Sequence, residues 1–196
     1  PYSASKGAAE VLFHSYTTSF PELGRENGIS SVRAGNVFGG GDWSDNRLVP
    51  DCIRDLYSTN VIHLRMPEAT RPWTFVIDIL LGYLQTALVV ESNLGMSKSS
   101  WNFASGEVKT VLEVAQGFVT SFGFGAVTVD QHHSIGKEAK LLQIDATKAR
   151  SKLSWRPLFT VDEAIGLTAS WYAAQQAGEN MAQFSNAFLE STFLRF

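Results

Sequence analysis

One cysteine, Cys52, is all that the 196 residues contain. That excludes an intrachain disulfide and any cysteine-rich zinc module, and it fits a reducing, cytoplasmic compartment. A basic excess is lacking too. Sixteen Lys and Arg against 19 Asp and Glu leave a net charge of -3, so nucleic acid or an acidic membrane surface is not an expected partner, and an anion site would have to rest on a few placed cations. The longest apolar stretch, Phe75 to Val90, is broken by Asp78, Gly82 and Gln85 and is too short and polar to span a bilayer. None of the 16 glycines falls into a G-x-G-x-x-G or G-x-x-G-x-x-G spacing, the turn that cradles a dinucleotide pyrophosphate. His14, His63, His132 and His133 have no metal-ligand spacing with one another or with Cys52, and no metal is expected. No methionine precedes Pro1, and a helical pattern starts at once. The expectation is a chain that begins at an internal point of a longer one.

What is present suits a folded α/β protein. At 44% hydrophobic and 18% charged, the chain can bury a core. Helical spacing of Ala4, Ala8, Val11, Leu12 and Ser15 predicts an amphipathic helix over 2–20, stopped by Pro21. A strand is predicted over 29–38, ending in the triple glycine Gly39-Gly40-Gly41. Further helices are predicted over 48–57, 78–91, 110–122, 145–153 and 160–176. Thr110 with Glu113, and Thr160 with Glu163, have the spacing of capping boxes. Strands or extended segments are predicted over 61–65, 71–77, 101–104, 126–130 and 141–145. The stretch 92–100 and the segment 132–140 read as loops, and residues 177–196 show weak periodicity and receive no assignment. Alternating strands and helices favour a largely parallel sheet, which binds ligands beyond the carboxyl ends of its strands. Gly39 to Trp43 lies at such an end.

Tyr2 and Lys6 stand four residues apart and share one helix face. A nearby ammonium favours the phenolate, which can then exchange a proton with a sugar hydroxyl. The surrounding Ser3, Ala4, Ser5, Gly7, Ala8 and Ala9 leave the helix start narrow enough for a cofactor or another helix to approach. The glycines at 39–41 do not precede a helix with a Lys-Ser/Thr, so a tight loop shaping a pocket fits them better than a phosphate cradle. Trp43 and Trp73 are candidate pocket walls, although tryptophans more often serve packing. Asp42, Asp45 and Asp51 read as solvated loop carboxylates, and Cys52 as a small buried hydrophobe.

Several motifs, in order, carry a resemblance. Pro1-Tyr2-Ser3-Ala4-Ser5-Lys6 resembles the active-site helix of the extended short-chain dehydrogenase/reductases, and Arg33-Ala34-Gly35-Asn36-Val37-Phe38-Gly39 resembles their Arg-x-x-Asn-Val strand and turn. Gly39-Gly40-Gly41-Asp42-Trp43, Arg47-Leu48-Val49-Pro50-Asp51, Arg71-Pro72-Trp73 with Asp78 and Gly82-Tyr83-Leu84, and Trp101-Asn102-Phe103 resemble, more narrowly, the CDP-glucose 4,6-dehydratase family. Leu153 to Pro157 matches the late Leu-x-Trp-x-Pro motif. The matches run from residue 1 to about 175.

The resemblance implies an α/β fold: the C-terminal half of a Rossmann-type parallel sheet (1–38 and 71–104) with a smaller α/β substrate-binding subdomain (39–70 and 105–176) and a tail (177–196). It implies NAD as cofactor, a nucleotide sugar such as CDP-glucose as substrate, and a parent enzyme that forms homodimers or higher oligomers. Tyr2 and Lys6 would be catalytic and would also contact the cofactor, with the backbone after Val37 near the nicotinamide. Asn36, Arg47, Leu48, Arg65, Arg71 and Glu138 would bind substrate, with Lys140 near Glu138. Arg71 would face the sugar diphosphate, since a guanidinium offers paired donors to phosphate oxygens. For Arg65 a surface role and a substrate role stand equal.

The glycine-rich turn, the Ser/Thr partner of the tyrosine and the acid/base pair for losing water would lie upstream of Pro1. The isolated chain is therefore expected to bind NAD poorly, to turn over no substrate, and to expose apolar surface on its first helix. Three departures from the family pattern, at Asn46, Thr74-Phe75 and Ile79, leave the sugar and base open. Another nucleotide-sugar epimerase or dehydratase, or a non-catalytic binding module, would carry many of the same motifs.

Overall fold

A computed structural model describes residues 1–22, 28–92, 96–129 and 142–193. The first helix, α1 (Tyr2–Ser19), is followed by strands β1 (Ser30–Ala34) and β2 (Asn36–Phe38), helix α2 (Leu48–Thr59) and strand β3 (Val61–Leu64). Next come β4 (Thr70–Arg71), β5 (Trp73–Phe75), helix α3 (Val76–Ser92), β6 (Ser99–Phe103) and β7 (Lys109–Thr110). Helix α4 (Val111–Phe122), β8 (Ala126–Val129) and helices α5 (Thr147–Lys152), α6 (Val161–Gln176) and α7 (Met181–Phe193) complete the order. Three strand pairs are parallel, β1 with β6, β2 with β5 and β3 with β8, while β4 and β7 pair antiparallel.

The single strand expected over 29–38 is two. At Gly35 the chain changes partner: its amide donates to the Phe103 carbonyl at 3.2 Å, and the next amide, Asn36, donates to Pro72 at 3.0 Å. A Cβ at Gly35 would collide with the Pro72 carbonyl oxygen, so only glycine lets the backbones approach this closely. Short pairing also explains why the extended reading of 71–77 fails at its end. Phe38 is the last residue of β2 and pairs with Phe75, so Val76 and Ile77 have no continuing ladder and open α3 instead, despite their β-branched side chains. The strand expected over 141–145 does not form across 142–145, where the Asp145 carboxylate accepts the Thr147 amide at 2.8 Å and starts α5; Leu141 lies outside the described residues.

Both expected capping boxes form. Thr110 and Glu113, and Thr160 and Glu163, exchange side-chain and backbone bonds at the starts of α4 and α6, each cap contributing about 1 kcal/mol. The tail, unassigned from sequence, forms α7. Gly178 (φ 80°) donates its amide to the Gln175 carbonyl beyond α6, and the Asn180 carboxamide oxygen accepts the amides of Ala182 and Gln183. That pair of signals, glycine stop and asparagine cap, was present in the sequence.

Among the described residues, two apolar cores result. The larger joins Ile53 and Leu56 of α2, Ile62 and Leu64 of β3, Val114 and Phe118 of α4, and Ile165 and Tyr172 of α6. The second gathers Ile79, Trp101, Phe103, Leu153 and Trp155. Helix α1 joins neither. It is exposed along most of its length, Val11 and Leu12 being 69% and 68% accessible, and Thr17 is its buried residue. Its amphipathic stripe is uncovered by the described residues. A link to the rest is the two-pronged pair between Glu10 and Arg33 of β1.

Candidate functional site

Where β2 ends, a cavity of about 920 Å³ opens, near the upper end of the usual size for small-molecule sites. One side is the start of α1 with Tyr2; the floor is Gly35 to Gly39. The loop 39–47 and the first turns of α2 form a second side, and β3 through Met66, with Arg71 and Trp73, a third. The position follows from topology, since parallel strands leave their carboxyl ends open beside the connecting loops.

Of the residues expected at a site, Tyr2, Asn36, Val37, Arg47, Leu48, Arg65 and Arg71 all line this cavity. Lys6 does not; its Nζ lies 5.6 Å from the centroid of the Tyr2 ring, as a four-residue spacing on a helix requires. Glu138 and Lys140 lie outside the described residues, as do His132 and His133. Trp73 lines the cavity and donates its indole N–H to the Lys109 carbonyl at 3.0 Å. Trp43 does not line it. Its ring turns away, edge-on to Tyr172 at 5.1 Å.

The three arginines differ in setting. Arg71 is buried, 7% accessible, with Nη1 donating to the Thr70 carbonyl at 2.8 Å. Arg47 directly precedes α2 and is largely exposed, 4.0 Å from the Asp42 carboxylate. Arg65 is exposed. Burial would raise the Asp42 carboxyl, but the Ser44 hydroxyl and amide, with Arg47 and Arg54, outweigh it and hold it below the ordinary carboxylate range. Asp42 is thus a fixed anion beside Arg47.

Asp51, Cys52, Asp55 and His63 also line the cavity and were given no site role from sequence. With Leu48, the first three fall on one face of α2 at three- and four-residue steps, a pattern that becomes informative once the start of α2 is known to border a pocket. The Asp55 carboxylate accepts the His63 amide at 2.9 Å and so ties α2 to β3. Cys52 is the buried small hydrophobe expected; burial, then the nearby Asp55 and Asp51, push its thiol well above the ordinary range. Among the described residues no cluster of three or more His, Cys, Asp or Glu could hold a metal ion, and no helix is long and apolar enough to cross a membrane.

The departures at Thr74 and Phe75 point away from the cavity. The Thr74 hydroxyl accepts the Ser105 amide at 3.1 Å, while Phe75 packs against Phe38, Phe159 and Phe188. The triple glycine has a packing reason. A Cβ at Gly40 would overlap the Trp171 ring, and one at Gly39 would lie 2.5 Å from the Val76 side chain. Gly40→Ala is therefore expected to cost about 1–3 kcal/mol, read as a shift in the urea midpoint at constant slope; an unchanged midpoint would show that Trp171 yields freely.

No protein-family model matches this sequence. The sequence is 35% identical over 187 residues to CDP-glucose 4,6-dehydratase of Salmonella typhimurium strain LT2, covering 92% of this chain and 52% of that protein. Among solved structures, the dTDP-glucose 4,6-dehydratase of Bacillus anthracis in complex with NAD superposes with a TM-score of 0.70 at 21% identity, over 91% of this chain and 54% of the other. The UDP-glucuronic acid 4-epimerase of Bacillus cereus, solved with UDP-glucuronic acid and NAD, gives 0.73 at 20% identity, over 87% and 51%. The chain spans about half the length of each of these proteins. The chain is thus similar in sequence to the Salmonella CDP-glucose 4,6-dehydratase and shares the Rossmann-type α/β fold of these solved structures.

Proposed function

We propose that this chain is the C-terminal, substrate-binding part of a nucleotide-sugar 4,6-dehydratase that uses NAD, with CDP-glucose as substrate. The observation that carries the reading is the gathering of Tyr2, Asn36 and the buried Arg71 around one cavity, in a chain 35% identical to a CDP-glucose 4,6-dehydratase. The 1–38 and 71–104 segments then belong to the cofactor-binding layer, and 39–70 with 105–176 to the sugar-nucleotide side.

The residues present fit one end of the cofactor. Tyr2 stands at the cavity edge with the Lys6 ammonium close to its ring, and the backbone of Gly35 to Val37 borders the same space without a bulky side chain at Gly35. The pyrophosphate end has no glycine-rich cradle in these 196 residues. NAD, when bound, would supply the redox chemistry, an oxidation at sugar C4 and a compensating reduction at C6 around the loss of water. Tyr2 is the group placed to exchange a proton with the 4-hydroxyl, and Lys6 beside it would hold the nicotinamide ribose. Arg71 faces the diphosphate from a low-dielectric wall, where a charge-assisted bond is strongest, and Asn36 supports the phosphate region. Arg47, paired with Asp42, is a further cation lining the same cavity and within reach of an anionic substrate.

Calorimetric titration tests this. CDP-glucose should bind the chain, and more tightly than UDP-glucose or dTDP-glucose. Arg71→Ala should weaken that binding about 10- to 100-fold with the folded baseline intact. Binding that ignores the base, or survives the loss of Arg71 unchanged, would defeat the assignment.

A further inference from the structure

The loop 39–47 brings Asp42, Asn46 and Arg47 to the cavity, yet it contains neither helix nor strand. Its shape must come from what grips it. One grip is Arg54 of α2, whose guanidinium donates to the carbonyls of Trp43 at 3.0 Å and Ser44 at 3.2 Å and pairs with Asp51 and, at 3.6 Å, with Asp45. The other comes from the far end of the chain. Tyr172 of α6, wholly buried, donates its hydroxyl to the Asp42 carbonyl at 2.6 Å. Burial, with the Asp42 carboxylate adding, pushes this phenol up to about 12, so it remains a donor throughout the physiological range. Behind it, Trp171 lies edge-on to Tyr172 at 5.2 Å, fills the space where Gly40 lacks a side chain, and donates its indole N–H to the Ser185 hydroxyl of α7 at 3.0 Å.

A phenylalanine would pack as Tyr172 does. The hydroxyl adds one thing, a bond to a loop carbonyl one residue before Trp43, at the residue whose carboxylate faces Arg47. The Arg47 side chain is 64% exposed, so no packing sets its direction; the backbone of the loop and the Asp42 carboxylate do. A loop left free would have to be ordered by the ligand at the expense of affinity. We propose that Tyr172 is a positioning residue of the cavity: by holding the Asp42 carbonyl it fixes the loop that aims Arg47, and Trp171 with α7 braces it from behind. The role for Arg47 rests on the reading of the cavity as a nucleotide-sugar site.

Tyr172→Phe removes the hydroxyl and keeps the ring. In hydrogen exchange followed by mass spectrometry on the 196-residue chain, the variant should exchange the 39–47 amides about fivefold faster, while β3 and α4 stay as they are. Titrated with CDP-glucose, it should bind about fivefold more weakly. In a double-mutant cycle, Arg47→Ala should cost about tenfold in the parent chain and about twofold or less in the Tyr172→Phe background, whereas Arg71→Ala should cost the same in both. A tyrosine with a merely structural role would leave the Arg47 and Arg71 effects equally intact in the two backgrounds. Unchanged exchange in the loop overturns the brace, and additive Arg47 and Tyr172 losses overturn its link to Arg47. A chain that takes up no CDP-glucose at all overturns the functional reading, and the exchange result still decides the brace alone. If Tyr172→Phe does not fold, Ser185→Ala loosens Trp171 from a half-exposed position; faster loop exchange supports the proposal and unchanged exchange overturns it.

Discussion

Trp155→Ala is expected to lower the free energy of unfolding by about 3–5 kcal/mol. Trp155 is 1% accessible and is among the largest buried side chains. Its ring meets Phe103 edge-on at 5.1 Å, and its indole N–H donates to the Asp78 carbonyl at 3.0 Å. Gly82 of α3 has no side chain because Phe103 and the Trp155 nitrogen occupy the place where a Cβ would stand. A helix this tightly seated cannot slide inward to fill the void, so the loss combines transfer and cavity terms. Urea unfolding followed by far-UV circular dichroism checks it. Trp155→Phe, which keeps a ring and loses the N–H, should cost less than the alanine variant. An alanine loss below about 1 kcal/mol would mean that the second core is soft enough to collapse.

The second large effect depends on pH. Asp78 is 1% accessible, and burial raises its carboxyl from an ordinary 3.8 to about 6, opposed by the Leu158 amide and, more weakly, that of Phe159. Oδ1 accepts the Leu158 amide at 2.7 Å, while Oδ2 has no hydrogen-bond partner among the described residues. Below about pH 4 the group is protonated whether the chain is folded or not. Between about pH 4 and 6 the unfolded chain releases the proton first and is favoured, so the contribution of Asp78 to stability falls as pH rises and then levels off above about pH 6. The whole fall is about 3 kcal/mol. Glu10, Asp42, Glu113 and Asp145, all held low, act in the opposite sense, so the test is a difference. Asp78→Asn relative to the parent chain should gain about 2 kcal/mol between about pH 4 and pH 7, whatever its offset at the acid end. A difference that stays flat across that range would show that Asp78 titrates as an ordinary carboxyl.

Much of the fold was legible because local chemistry decided it. The capping residues Thr110 and Thr160 start the helices that follow them, and the expected helix bounds there agree with α4 and α6. The misreadings at Gly35 and at Val76-Ile77 fall where a distant partner decides. Nothing in residues 29–38 announces that Gly35 must change partners, because the constraint comes from the Pro72 backbone. Val76 and Ile77 look like strand and become helix because β2 stops at Phe38, far earlier in the chain. The cavity residues were found through motifs rather than patterns. Asp51 and Asp55 were missed since a carboxylate on an amphipathic helix looks the same whether it faces water or a pocket. Tyr172 was missed for a related reason: within α6 it looks like any core aromatic, and its hydroxyl bond is made to a carbonyl 130 positions away.

The bonds from Trp155 and Leu158 to Asp78 have a bearing on protein engineering. They join positions 77 and 80 residues apart, so the start of α3 and the segment 155–158 behave as one inheritable unit. A hybrid that takes α3 from one enzyme of this fold and the later segment from another would have to preserve a carbonyl, a carboxylate and their two donors across the junction. Crossovers that keep residues 78–158 from a single parent avoid that mismatch, and those placed within 78–155 invite it.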